Sequence, residues 1–172
     1  MKKALLFFTA ALLINTVMGQ NRIQDTFWGC ILGKSTYNQV SSSMRSFSSY
    51  AMFGSYAKDF TIQKVKLGGY SFDFAAFVFV DDTLSEVNLY TPFSSKNEAI
   101  SLRNSVNSDL AKKYKLSSTF SNGGYTGYRY EDQYNGCIIY VTHKRSDGGK
   151  YYYYTCLEYW NFELYKKQND EL

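Results

Sequence analysis

The stretch that decides the fold is residues 150–160, KYYYYTCLEYW, in which six of eleven side chains are aromatic. Aromatic residues are enriched in strands, and no glycine or proline interrupts the run, so it predicts a long β-strand. Successive side chains of a strand point to opposite faces of the sheet, so the four consecutive tyrosines place two rings on each face. One face must pack against the core. The other serves either recognition or cross-strand pairing that stabilises the sheet.

Short turns divide the rest of the chain into hairpins, with a strand on each side of every turn. Asn-Gly and Gly-Gly pairs favour type I′ turns, because both central residues of that turn need positive φ. Aspartate and glycine supply similar turn chemistry elsewhere. The predicted turns are Gly68-Gly69, Asp81-Asp82, Asn135-Gly136 and Asp147-Gly148-Gly149.

Two segments carry apolar side chains at helical spacing. Residues 33–47 form the first, with Ser35 or Thr36 as N-cap and a Thr-x-x-Gln capping box that ends at Gln39. Residues 95–114 form the second, with a Ser-x-x-Glu box from Ser95 and lysines in the last turn, where the helix dipole favours cations. The apolar stripes are Tyr37, Val40, Met44 and Phe47 in the first helix, and Ala99, Leu102, Val106, Leu110 and Tyr114 in the second.

The order of elements is one helix followed by three or so strands, twice. This order predicts a two-layer α+β fold, with tandem helix-plus-antiparallel-meander units and the helices on one face of the sheet. Residues 20–172 are expected to form a single domain, divisible into units 20–93 and 94–172. Residue identities do not recur between the units, so a duplication and a coincidental order of elements both remain open.

The helix start Gly33-Lys34-Ser35 with Val40 inside, followed by an antiparallel meander and a second such unit, resembles the β-lactamase inhibitory protein fold. The single unit also resembles the small lipoprotein subunit of the bacterial outer-membrane barrel-assembly machine. The resemblance covers the order of elements over nearly the whole mature chain, and its motif-like part is GKSTYNQV. It implies tandem modules whose helices cover one sheet face and leave a curved, aromatic-bearing face open to bind a protein. It implies no functional residue.

The faces of the tyrosine strand depend on the length of the turn before it. A turn of two or four residues puts Cys137, Ile139 and Val141 on the core face with Tyr152, Tyr154 and Cys156. The outer face then offers a candidate ligand-binding surface of Tyr140, Tyr151, Tyr153 and Tyr159. In this register a disulfide between Cys137 and Cys156 and a pair of buried free thiols are both open. A three-residue turn would exchange the two faces.

The N-terminal residues predict export. Lys2 and Lys3 precede an apolar run over residues 4–14, and small residues lead to an expected cleavage after Gly19. The run is shorter than the roughly 20 residues that a bilayer-spanning helix needs, so no membrane anchor is expected after cleavage. A periplasmic or extracellular protein of a Gram-negative bacterium is expected, and retention in the endoplasmic reticulum through the C-terminal NDEL is not.

Charge gives no reason to expect a nucleic-acid partner. The chain has 19 basic and 15 acidic residues, and removal of residues 1–19 takes away two lysines. The remaining net charge is +2, and the basic residues are dispersed among element ends. An unknown protein or peptide is the expected partner, and the oligomeric state is open.

No catalytic, metal-binding or cofactor-binding pattern stands out. The single histidine, His143, is expected to face solvent near a hairpin tip, too far along its strand from Cys137 to share a zinc ion. The sequence therefore predicts a non-catalytic binding module that recognises a protein or peptide and needs no cofactor. The alternative is a small cell-envelope hydrolase, or an accessory carbohydrate-binding protein, using rings as sugar platforms and Asp82 or Glu131 for chemistry.

Overall fold

The computed structural model describes residues 21–45, 50–51, 60–122, 124–146 and 148–170. Over these residues it has three helices and ten strands, which confirms the predicted α+β class. The strands are β1 (Thr26–Phe27), β2 (Cys30–Ile31), β3 (Tyr50–Ala51), β4 (Phe60–Leu67), β5 (Tyr70–Val80), β6 (Thr83–Phe93), β7 (Leu116–Asn122), β8 (Tyr125–Glu131), β9 (Asn135–Arg145) and β10 (Tyr151–Asn161). The helices are α1 (Tyr37–Met44), α2 (Lys96–Lys113) and α3 (Phe162–Asp170). No helix among the described residues has both the length and the apolar character needed to cross a membrane.

Eight of the strands form one antiparallel sheet, in the order β3-β4-β5-β6-β10-β9-β8-β7. Strands β3 to β6 form one meander and β7 to β10 a second, and the two meet where β6 pairs with β10. The stretch quoted at the outset is therefore a central strand, with a full-length neighbour on each side. The short β1–β2 hairpin lies outside this sheet.

Helix α2 packs across one face of the sheet, against β6, β9 and β10. We call this the helix face. Three hydroxyl groups of the sheet, those of Thr155, Tyr130 and Tyr70, donate hydrogen bonds that hold the helix in place. Thr155 donates to the Ala99 carbonyl over 2.7 Å, and Tyr130 donates to Asn107 Oδ1 over 2.7 Å. Tyr70 donates to Asp109 Oδ2 over 2.8 Å. The largest side chains that are less than 2% exposed include Tyr130, Phe27, Phe77, Ile62, Leu89 and Ile139.

The predicted capping box of α1 is confirmed. The Gln39 amide donates to Thr36 Oγ1, and Gln39 Oε1 accepts from the Thr36 amide. Val40 and Met44 are buried as predicted, and Tyr37 packs half-buried against the Phe79 ring. The helix ends at Met44, and Phe47 lies outside the described residues.

Helix α2 confirms its predicted stripe but not its predicted cap. Ala99, Val106 and Leu110 are buried, and Leu102 and Tyr114 pack half-buried against the core. Ser95 occupies the N-cap position in extended backbone, yet its side chain makes no capping hydrogen bond, so the predicted Ser-x-x-Glu box was wrong. Packing on the sheet fixes the start of this helix instead, because Thr155 holds the Ala99 carbonyl.

Two of the predicted turns have the expected backbone and one is misplaced. Gly68-Gly69 and Asp81-Asp82 all have positive φ. The predicted turn at Asn135-Gly136 was wrong, because both residues are buried inside β9. The chain instead turns at residues 132–134, where the Asp132 carboxylate accepts from the Tyr134 and Asn135 amides. Gly136 serves packing, since a Cβ there would lie 2.2 Å from the Trp160 indole.

Helix α3 and the β1–β2 hairpin were not predicted. Asn161 caps α3 by accepting a hydrogen bond from the Leu164 amide over 3.2 Å. The Tyr165 ring of this helix lies 5.8 Å from that of Trp160, and Lys167 forms an ion pair with Asp81. These contacts place α3 over one end of the sheet face that α2 does not cover.

Candidate functional site

The turn between β9 and β10 decides which tyrosines face the core. The ladder runs to Arg145 and Tyr151, and the Ser146 amide donates to the Lys150 carbonyl over 2.7 Å. Three residues, 147–149, lie between Ser146 and Lys150. The prediction assumed a turn with an even number of residues. A turn of three residues moves each side chain of β10 to the opposite face, so the predicted faces of β10 were wrong. Thr155, Leu157 and Tyr159 lie on the helix face, paired with Val141, Ile139 and Cys137.

The four predicted surface tyrosines do not form one surface. Tyr159 is only 3% exposed and lies 4.8 Å from the Phe27 ring in the core, so it cannot contact a partner. Tyr151 is 54% exposed, and Tyr153 is half-buried beside His143 at the end of the helix face. Tyr140 lies on the opposite face of the sheet, paired with Cys156.

The same register separates the two cysteines that were candidates for a disulfide. Cys137 pairs with Tyr159 and Cys156 pairs with Tyr140, so the thiols point to opposite faces, and both are free. Of the two alternatives left open for these cysteines, the register excludes the disulfide and leaves two free thiols. Burial raises the pKa of both thiols, that of Cys156 to about 12, which keeps them protonated near neutral pH.

The sheet face opposite α2 carries a row of six paired residues on six adjacent strands, four of which are aromatic. Each member is paired directly opposite the next one on the neighbouring strand, from β7 through β8, β9, β10 and β6 to β5. We call this set the ring row, and the face that carries it the ring face. The ring row is Phe120, Gly127, Tyr140, Cys156, Tyr90 and Phe74. Its outer pairs are in contact, with ring centroids 6.3 Å apart for Phe120 and Tyr140 and 5.0 Å apart for the stacked Tyr90 and Phe74.

Gly127 is the one position of the ring row that needs to lack a side chain. A Cβ there would lie 2.5 Å from Tyr140 Cβ and 2.8 Å from Phe120 Cζ. The glycine therefore lets the Phe120 ring lie over the backbone of β8 and reach Tyr140, the arrangement by which an aromatic neighbour compensates for glycine in a strand.

A groove of about 430 Å³ opens beside the middle of the ring row. Tyr90, Tyr125 and Tyr154 form aromatic walls, Cys156 contributes to its lining, and Lys144 adds a positive charge. Tyr125 is 47% exposed, and its ring lies 5.8 Å from Tyr140, so the groove continues the ring row towards solvent. Rigid rings with a hydroxyl at one end suit contact with peptides and other amphipathic ligands.

A half-buried polar pair holds the centre of the ring row in place. The Tyr140 hydroxyl donates to Glu158 Oε1 over 2.6 Å. Burial raises the pKa of the Glu158 carboxyl, the Tyr140 hydrogen bond opposes the shift, and the nearby charge of Glu86 adds to it. Burial likewise raises the pKa of Tyr140, so this hydroxyl stays a donor at neutral pH. The Tyr140 ring is therefore fixed in orientation before any ligand arrives.

Helix α3 closes the other end of the ring face. It covers a small cavity of about 70 Å³ lined by Glu86, Arg129, Glu158, Trp160 and Tyr165. The Arg129 guanidinium lies 5.4 Å from the centre of the Trp160 ring. One end of the ring face is thus packed and polar, while the groove end presents half-buried and exposed rings.

The structure does not bring together the acidic side chains that the hydrolase alternative requires. Asp82 lies in the β5–β6 turn, and Glu131 forms an ion pair of 2.5 Å with Arg129 on its own strand. Three strand spacings, about 14 Å, separate β6 from β8. Among the described residues, no group of three or more His, Cys, Asp or Glu side chains is placed to hold a metal ion.

Sequence reasoning missed most of the ring row, although one signal for it is visible. In YTGYRY, residues 125–130, a glycine stands between tyrosines inside an alternating strand, which indicates a close approach of neighbouring rings. Phe74 and Tyr90 give no such signal, since their alignment depends on the register of three strands.

Comparisons with known proteins add no identification: no family model, curated protein or solved structure matches this chain.

Proposed function

We propose that this protein is an exported, non-catalytic binding module that recognises an extended peptide segment of a protein partner through the ring face. The observation that carries the proposal is the groove of about 430 Å³ on this face, which Tyr90 of the ring row lines together with Tyr125 and Tyr154. Export follows from residues 1–19, which have the charged, apolar and small-residue parts of a signal peptide.

The chemistry of the groove favours a peptide of mixed character. Tyr125 and Tyr154 offer large apolar surfaces with hydroxyls at their tips, and tyrosine loses little conformational entropy on binding. Lys144 at the rim supplies a charge for an acidic side chain or carboxylate. A sugar could also stack on exposed rings, so a saccharide is the competing ligand class.

We further propose that the chain consists of two related units, 20–93 and 94–172. The mirror arrangement of the two four-strand meanders about the β6–β10 pair supports this, with one helix leading into each meander. The proposal accounts for the position of the groove, which opens beside that central pair. It keeps open the relationship to the β-lactamase inhibitory protein fold.

The test is selection from a displayed library of random twelve-residue peptides, about 12 residues being enough to cross the groove in extended form. Selected peptides are then measured against a Tyr125→Ser/Tyr154→Ser double variant. We expect micromolar binding to the wild type and a loss of at least about tenfold in the variant, because both walls are removed.

Tyr151→Ser is the matched control, since Tyr151 is the most exposed tyrosine of β10 and does not line the groove. Its binding should equal that of the wild type. Failure to enrich any peptide, or equal binding to the double variant, would contradict the proposal, and a signal on a glycan array instead would favour the saccharide alternative.

A further inference from the structure

Strand β7 forms one edge of the eight-stranded sheet. Within the described part of the chain it pairs with β8 and with no other strand. In an antiparallel edge strand, every second residue directs its N–H and C=O groups away from the sheet. The ligand that satisfies such a row of alternating donors and acceptors is another extended backbone.

The sequence of β7 lacks most of the devices by which proteins block an exposed edge. The strand reads LSSTFSN, without a charged residue or a proline, and it extends for about 23 Å. A register shift disturbs it at Leu116 and Ser118, which leaves the remainder regular. Natural sheets place lysine, proline or strong bulges at such edges to prevent pairing, so an unprotected edge of this length is a docking site or a liability.

The ring row ends at this edge. Phe120 is the ring-face residue of β7 that pairs with Gly127, and its neighbours on the same face, Ser118 and Asn122, are short and exposed. An added strand would place an alternate side chain directly beside the Phe120 ring. Pairs of aromatic or β-branched residues across strands stabilise such a contact.

Positive charge lies at both ends of the neutral strand. Lys115 immediately precedes β7. At the other end, Lys96 lines a hollow of about 300 Å³ together with Ser121 and Asn122. A strand that carries acidic residues on both sides of an apolar centre would therefore complement this edge.

A second copy of this chain fits the edge less well than a peptide does. Antiparallel pairing of β7 with itself would bring Lys115 of one copy towards the lysine-lined end of the other. The side chains of β7 are mostly serine, threonine and asparagine, so little apolar area would be buried against the roughly 1,200 Å² typical of stable interfaces. A peptide gains affinity mainly from main-chain hydrogen bonds and needs less area.

We propose that β7 is a site of strand addition, at which an acid-flanked extended segment of a partner protein pairs as a ninth strand and continues the ring row beyond Phe120. The inference goes beyond the proposed function, since it adds a binding site at the sheet edge, three strands away from the strand that carries the groove residue Tyr154.

The test uses the blocked peptide acetyl-Glu-Val-Thr-Phe-Thr-Val-Glu-amide and amide hydrogen exchange measured by NMR on the purified protein. At saturating peptide, the β7 amides that exchange fast should slow by at least about tenfold, because they gain partners. Phe120→Ser should weaken binding, while Tyr151→Ser, a similarly large change on the other face, should not. Two partner peptides serve as controls, one N-methylated at alternate residues and one with lysine in place of glutamate, and neither should bind.

Three results would overturn strand addition: no binding at about millimolar peptide, equal binding by the N-methylated peptide, or protection confined to amides outside β7. Peptides that depend on Tyr125 and Tyr154 but leave β7 unprotected would retain the proposed function and overturn this inference alone. Protection of β7 that persists in the Tyr125→Ser/Tyr154→Ser variant would support strand addition and count against the groove.

Discussion

The two faces of β10 carry the same kind of side chain in opposite environments. On the helix face, Tyr159 is 3% exposed and surrounded by core residues. On the ring face, Tyr154 is half-buried and lines an open groove. A tyrosine-rich strand is thus not uniformly a core strand or a binding strand. Its alternate residues are divided between stability and recognition by the layer that covers each face.

The ring face itself has two parts, one covered by α3 and one open. Its end under α3 is covered, and Trp160 is 5% exposed against Gly136. Its other end is held rigid by the half-buried Tyr140–Glu158 hydrogen bond but left open above Tyr90 and Cys156. A fixed but uncovered aromatic surface loses little entropy on binding, which is what a recognition surface requires.

The largest expected difference in stability is between two truncations, one of a tyrosine on each face of β10. Tyr159→Ala should lower the free energy of unfolding by about 3–5 kcal/mol, because it removes a buried ring and leaves a cavity. Tyr154→Ala should cost less than about 1 kcal/mol, the range of a single cross-strand pair. Urea unfolding of both variants measures the contrast, and similar losses for both would show that the ring face is a second core.

A smaller effect is expected at the closed end of the ring face. Gly136→Ala should destabilise the protein by about 1–3 kcal/mol, because the added Cβ would lie 2.2 Å from Trp160 and must displace the indole. Gly148→Ala is the matched control, since a Cβ there meets only Ser146 Oγ at 3.9 Å. Thermal unfolding of the pair measures the difference. An unchanged midpoint for Gly136→Ala would mean that Trp160 and α3 are not tightly packed.

The smallest effect concerns the pH dependence of stability. The pKa of Glu158 is raised in the folded protein, so the folded state binds more protons than the unfolded state between about pH 4.5 and the raised pKa. Stability therefore falls as the pH rises through this interval. Glu158→Gln should flatten this fall while keeping an acceptor for Tyr140. Urea midpoints between about pH 4 and 7 measure the slope. Glu98→Gln, at an exposed helix turn, should keep the wild-type slope, and parallel slopes for all three proteins would refute the assignment.

The sequence predicted local structure well and the alignment between strands poorly. The α1 capping box, the α2 stripe and two turns depend on residues within a few positions of one another, so their spacing is sufficient. The faces of β10 depend on the parity of one turn, and a glycine-rich turn permits both even and odd lengths. One residue of difference moved Tyr159 from the predicted surface into the core.

Other errors arose where tertiary packing determines what a residue does. Asn135-Gly136 has the composition of a turn, yet Gly136 lies within a strand because Trp160 occupies the space of its side chain. The ring row could not be predicted as a unit, because it assembles from six strands whose registers are set independently. Helix α3 was not predicted, although Asn161 at the N-cap position and Glu163 in the first turn are typical of a helix N-terminus.

The pairing of β6 with β10 has a consequence for how the chain folds. Tyr90 and Cys156 face each other across the middle of the sheet although they are 66 positions apart. Strands β4 to β6 can associate as soon as they are synthesised, but β6 then presents an open edge until the last major strand arrives. Because β6 and β10 pair late and are far apart in sequence, the fold has a high contact order and should form slowly. Until β10 pairs, the open edge of β6 is vulnerable to pairing with another chain. A chain that emerges unfolded and N-terminus first would need its β6 edge shielded until residues 151–161 are available.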